Sequence, residues 1–167
     1  MILNAFCWLC ALSLGRDYFA IFELAFVVSI CIMLSVVDIS IRKIPNELLV
    51  ALILLQVIVF LAQHQYYILS VHLLGCVLGF LLFLIPAFFG KGAGLGDVKF
   101  AAVVGLFLGF YDFFISVVLM SLILLLYTVY LLISGKGGLK TKLALGPFLA
   151  SAFILVFAFD IATQQTL

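Results

Sequence analysis

Two aspartates stand out because of where they fall in the chain. Asp38 closes an apolar run that begins at Tyr18, and Asp97 follows Gly94-Leu95-Gly96 and opens another apolar run. A charged side chain at membrane depth costs about 2.5–3.5 kcal/mol on insertion scales, so each of these acids needs a reason to be there. Two carboxylates a few ångströms apart share one proton, because like charges that close resist ionising together. Such a pair performs general acid–base chemistry: one member draws a proton from water while the other, protonated, polarises a carbonyl, as amide hydrolysis requires. A purely structural account also exists. Asp is a good N-cap, which fits Asp97, and a terminal acid such as Asp38 marks where a span meets water.

The elements that position these acids follow from composition. Of 167 residues, 68% are apolar and 9% charged, far from the ~45–50% and ~25% of soluble globular domains. A water-soluble enzyme is excluded, and the bilayer is the solvent. The net charge of +1 with scattered basic residues offers no stripe for neutralising phosphates, so nucleic acid is not a partner. A span needs ~20 residues to cross a ~30 Å hydrocarbon layer. Six apolar runs qualify, at 18–37, 48–63, 67–89, 98–110, 112–134 and 143–159. The stretch from Phe100 to Ser134 would be ~52 Å long as one helix, so it must bend back, with Tyr111-Asp112 as the expected break. The fold class is therefore an all-α polytopic bundle of six transmembrane helices. Residues 1–17 form an extra apolar segment, interfacial or partly inserted, residues 18–160 the membrane domain, and residues 161–167 a short tail. Gly75-x-x-x-Gly79 and Gly105-x-x-x-Gly109 have the spacing that lets membrane helices approach closely.

Orientation follows from the basic residues, which favour short cytoplasmic loops. Arg42 and Lys43 lie in the first loop, Lys91 and Lys99 in the third, and Lys136, Lys140 and Lys142 in the fifth, leaving Arg16 alone on the other side. Loops one, three and five are expected to face the cytoplasm, which puts Asp38 and Asp97 at one depth on that face. Tyr18, Tyr66, Tyr67 and Tyr111 then mark the outer boundary. The remaining acids have simple places. Asp17, Asp112 and Asp160 sit at outer helix ends, Glu47 lies in a cytoplasmic loop, and Glu23 is close enough to the outer end to lean toward water.

Other chemistries find little support. Cys7-Trp8-Leu9-Cys10 is one cysteine pair where a structural zinc site needs four ligands, so no metal and no cofactor is expected. Cys31 and Cys76 read as small core residues. His64 and His72 fall on the outer side, away from any nucleophile on the cytoplasmic face, and His72 reads as a polar residue packed near a helix end. Gly135-Lys136-Gly137-Gly138 lacks the spacing of a phosphate loop.

The residues around the two aspartates are specific. Asp38 is followed by Ile39-Ser40-Ile41-Arg42-Lys43-Ile44-Pro45-Asn46, Asp97 stands in Gly94-Leu95-Gly96-Asp97-Val98-Lys99, and Leu145-Gly146-Pro147-Phe148-Leu149-Ala150 follows the last basic loop. Together these resemble the motifs of the type IV prepilin peptidases, membrane aspartic proteases of the Gly-x-Gly-Asp class, over about residues 18–159. The resemblance implies catalytic roles for Asp38 and Asp97. It implies a bacterial inner-membrane location with the site at the cytoplasmic face. It also implies a prepilin or pseudopilin precursor as partner, with a short basic leader ending in Gly followed by an apolar helix. Larger members carry a cytoplasmic domain with two Cys-x-x-Cys pairs and methylate the new N-terminus. Without that domain, a short peptidase-only member is implied, with no methyltransferase activity.

Supporting roles suggest themselves for the neighbours. Gly94 and Gly96 allow unusual backbone angles and a close substrate approach, Pro45 ends the loop ahead of the next helix, and Asn46 caps that helix. Lys99 either steers an aspartate or simply obeys the positive-inside rule. The competing function class is a small transporter or channel that binds a cation or relays protons through Asp38 and Asp97. Transporters place such sites near the midplane, whereas these acids share one boundary.

Overall fold

A computed structural model describes residues 18–63, 69–89, 94–134 and 144–164. The apolar N-terminal segment and the Cys7/Cys10 pair lie outside them, as do His64, Lys91 and the lysines of the fifth loop. The regular structure among the described residues is all helical, in five elements: α1 (Tyr18–Ile41), α2 (Asn46–Gln63), α3 (Leu69–Phe88), α4 (Leu95–Ile133) and α5 (Gly146–Gln164). In hydrocarbon every backbone polar group must be satisfied within its own segment, and the helix does so. Serine and threonine hydroxyls follow suit by bonding back one turn, as Ser35 does to the Cys31 carbonyl at 2.7 Å and Thr128 to the Leu124 carbonyl at 2.8 Å. Four helices are long and apolar enough to cross a membrane, and α2 is a shorter apolar helix. Much of the apolar surface is exposed, including Leu122, Leu125 and Leu126 of α4 and Leu73, Leu74 and Val77 of α3. Exposure on that scale suits lipid as the surrounding solvent.

Five helical elements replace the six expected, because the fourth and fifth expected spans form the single 39-residue element α4. It is not one rod. Gly109 has φ 74° and ψ −172°, a region open essentially to glycine alone. A straight α4 would run ~58 Å, yet the ring of Tyr127 lies 5.3 Å from that of Phe148, near the end of the bundle where α4 begins. Phe113 likewise reaches back to Gly79, which also faces Ala101. The two limbs of α4 therefore run antiparallel, reversing at Gly109 rather than at Tyr111-Asp112. The break frees helix carbonyls, and His72 Nδ1–H donates to one of them, Leu106 O, at 2.9 Å. Replacing Gly109 with Ala is expected to cost about 1–3 kcal/mol, seen as a lower unfolding midpoint in detergent.

The two small-residue motifs meet each other. A Cβ on Gly75 would strike the Gly105 carbonyl oxygen, one on Gly105 would strike the Gly75 carbonyl oxygen, and one on Gly79 would collide with Ala101. They thus seal a single pair of helices, α3 against the first limb of α4. On the other side α5 lies between α1 and α4. Phe107 of α4 packs edge-on to Phe153 and Phe157 of α5 at 5.5 and 5.8 Å, while Val27, Val28, Cys31 and Leu34 of α1 are fully buried. Glu23 departs from expectation. It is 7% exposed, and its charge faces that of Asp160 on α5, so it points into the bundle instead of toward water. Asp112 joins this end, near Asp160 and His72.

Candidate active site

Asp38 lies one turn before the end of α1, and its carbonyl accepts the Arg42 amide at 2.9 Å. Arg42 then takes φ 51°, the left-handed conformation that commonly ends helices. The chain turns through Lys43, Ile44 and Pro45 into α2. The Asp38 side chain is 6% exposed. Its Oδ2 accepts the Gly146 amide at 3.0 Å, so an acid on α1 occupies the N-terminus of α5, where helix amides lack partners of their own. The local sequence dictates which amide is offered. Pro147 has no N–H, and the amides of Phe148 and Leu149 are both taken by Leu145 O, at 3.2 and 3.1 Å. Gly146 is also the residue that fits, because a Cβ there would stand 2.6 Å from Asp38 Oδ2 and 3.2 Å from its Cβ.

Asp97 occupies the third position of α4, and its Oδ2 accepts the Gly94 amide at 2.8 Å. This is half of a capping box, since Gly94 has no side chain to return the bond. The N-cap expected at Asp97 is Gly94 instead, and Asp97 serves the start of the helix from the third position, where its bond to the Gly94 amide fixes the direction of the carboxylate. Both bonds use Oδ2, and Oδ1 of each aspartate takes part in neither. The two acids are close enough that the charge of Asp38 acts on Asp97. α1, α2, α4 and α5 all place an end here, together with Arg42, Lys43 and Lys99.

The supporting residues divide. Gly96 has a steric reason: a Cβ on it would lie 3.0 Å from Ile44 Cβ, so its bareness lets the loop after Asp38 seat on the start of α4. Gly94 has no such constraint, with φ −84° and ψ 160° and only ordinary contacts for a Cβ, the nearest Asp97 Oδ2 at 3.6 Å. Neither glycine adopts positive φ, so the unusual backbone angles expected of them are absent. Lys99 Nζ donates to Asn46 Oδ1 at 3.1 Å and not to an aspartate. That bond is the one described for the Asn46 side chain, in place of a cap on α2. Pro45 directly precedes α2 as expected. Gly146 and Ile44 were not singled out from the sequence as site residues. The Gly-Pro pair at the start of an apolar run is the signal that points to Gly146, since proline belongs in a first turn. Among the described residues no three His, Cys, Asp or Glu side chains are grouped to hold a metal ion.

No curated protein and no solved structure matches the chain. A family does: the type IV leader peptidase family matches residues 25–129, a stretch that holds both aspartates and stops short of Gly146. With the matched region spanning most of the helices that carry the two acids, the chain, a multi-pass membrane protein, belongs to the type IV leader peptidase family.

Proposed function

We propose that this leader peptidase is an aspartic endopeptidase that removes the basic leader from type IV pilin-like precursors at the cytoplasmic face of the bacterial inner membrane. The observation behind this reading is the convergence of Asp38 and Asp97, from separate helices, at the end of the bundle that also holds Arg42, Lys43 and Lys99. In the reaction one carboxylate takes a proton from water as its oxygen attacks the scissile carbonyl carbon. The other, protonated, donates to the carbonyl oxygen. The tetrahedral species then collapses as the amide nitrogen gains a proton and the C–N bond breaks, which returns the pair to a singly protonated state. Gly146 N–H and Gly94 N–H hold the two carboxylates through Oδ2, and the Oδ1 atoms, which take part in neither bond, are the ones assigned to the chemistry. Family membership supports proteolysis, and the basic residues at the site end support a cytoplasmic placement.

The test is incubation of purified protein with a detergent-solubilised precursor and mass spectrometry of the product's N-terminus. The expected product starts directly after the leader's terminal Gly and carries no methyl group. A precursor left intact overturns the reading. Glu23→Gln, Asp112→Asn and Asp160→Asn, which alter acids at the opposite end, are expected to keep cleavage near the wild-type rate. Loss of cleavage in a folded Asp160→Asn protein would move the chemistry to that end.

A further inference from the structure

An open apolar groove of about 400 Å³ runs between α2 and the paired helices α3 and α4. One wall is Asn46, Leu49, Val50 and Ile53 of α2, the other Lys99, Ala102, Val103 and Leu106 of α4, and α3 adds Cys76 and Phe80. Both walls repeat at i, i+3, i+4 and i+7, the spacing with which one helix face receives another. The lined stretch covers about two helical turns, ~10 Å. Its charged and amide groups, Lys99 and Asn46, lie at the end nearest the aspartates and are bonded to each other.

We infer that this groove receives the apolar helix of the precursor, so that the bond to be cut lies over Asp38 and Asp97 while the helix descends between α2 and α4. The inference rests on the peptidase reading. Continuity favours a peptide occupant over a lipid tail. The groove runs into the candidate site at Asn46 and Lys99, and Ile44, two residues before Asn46, is seated on Gly96 beside Asp97. Register favours it too. A basic leader stays on the same face as Arg42, Lys43 and Lys99, so the precursor's apolar helix starts at the depth where α2 and α4 start. α2 is held chiefly by α1 and α4, which leaves its α3-facing side to the occupant.

Cys76 supplies the test. A Cβ on Gly105 would meet the Cys76 amide nitrogen at 3.0 Å, and Gly105 lies about 12 Å along α4 from Asp97. A precursor residue about eight positions past the scissile bond therefore comes alongside Cys76. The full chain, carrying Cys7→Ser, Cys10→Ser, Cys31→Ala and Asp38→Asn to keep the precursor whole, is placed in liposomes. It is mixed with a synthetic precursor bearing a basic leader and one cysteine moved along its apolar helix, and disulfide crosslinking is measured. The yield is expected to peak near the eighth position, recur three to four residues away and fall severalfold between. A flat or absent yield, with a precursor that the wild type cleaves, overturns the groove and leaves the peptidase reading standing. A precursor that the wild type does not cleave overturns that reading instead, and the groove with it. As a second measurement, Ala102→Phe fills the groove and is expected to raise KM roughly tenfold with kcat retained. An unchanged KM overturns the inference.

Discussion

Asp38→Asn and Asp97→Asn are each expected to lower precursor cleavage by roughly a thousandfold or more while leaving the protein folded. Separation of activity from folding follows from the bonds each side chain makes. Asp38 Oδ2 accepts the Gly146 amide and Asp97 Oδ2 accepts the Gly94 amide, and a carboxamide oxygen also accepts such bonds, though without the assistance of charge. What the carboxamide cannot do is take up and release a proton. Ala at the same positions gives a different result. Asp38→Ala leaves the Gly146 amide without its partner in a buried place, at about 1–3 kcal/mol, so it lowers the unfolding midpoint as well as the rate. A comparison of kcat/KM and unfolding midpoint across Asn and Ala variants reads both effects.

Gly146→Ala is the second large effect, expected to reduce kcat/KM by roughly a hundredfold through displacement of Asp38, since misplacing a reacting group by about 1 Å has consequences of that size. The added methyl stands 2.6 Å from Asp38 Oδ2 and 3.2 Å from its Cβ. Rotating the carboxylate alone does not clear it, so α1 and the start of α5 must separate. The α5 amide is still present in the variant, and the change in stability is expected to be small beside the change in rate. Equal rates for Gly146→Ala and wild type would mean that the position of Asp38 does not depend on α5. The family match ends before this residue, and the interaction spans 108 positions of sequence, so this variant probes what the motifs alone do not.

Charge placement draws attention to Asp38 and Asp97, and the motifs around them, similar to those of the leader peptidases, give the pair its candidate role. Acids are costly at membrane depth, and apart from Glu47, which lies in the loop itself, only Asp38 and Asp97 share a boundary with the basic loops. Apolar runs gave the helices, and α1, α2, α3 and α5 start and end within a few residues of the expected spans. The reversal was misplaced because Tyr111-Asp112 is the polar interruption, whereas the bend needs φ and ψ that only Gly109 supplies. Glu23 was assigned to water from its distance to the helix end, but its direction around α1 decides the matter and turns it toward Asp160. The meeting of Gly75 with Gly105 and of Ile44 with Gly96 depends on which helices are neighbours, a property of packing that no local pattern encodes. The sequence suggests a cap for Asn46 and either a steering charge or the positive-inside rule for Lys99, whereas the two side chains pair with each other across α2 and α4.

Whether Asp38 and Asp97 act as one unit is read from a double-variant comparison. Precursor turnover is measured for wild type, Asp38→Asn, Asp97→Asn and the double variant, all reconstituted and shown to be folded. Either single change is expected to remove nearly all activity, with the double variant no worse than the singles. Losses that multiply in the double variant, or a single variant that turns over precursor at the wild-type rate, would contradict joint action.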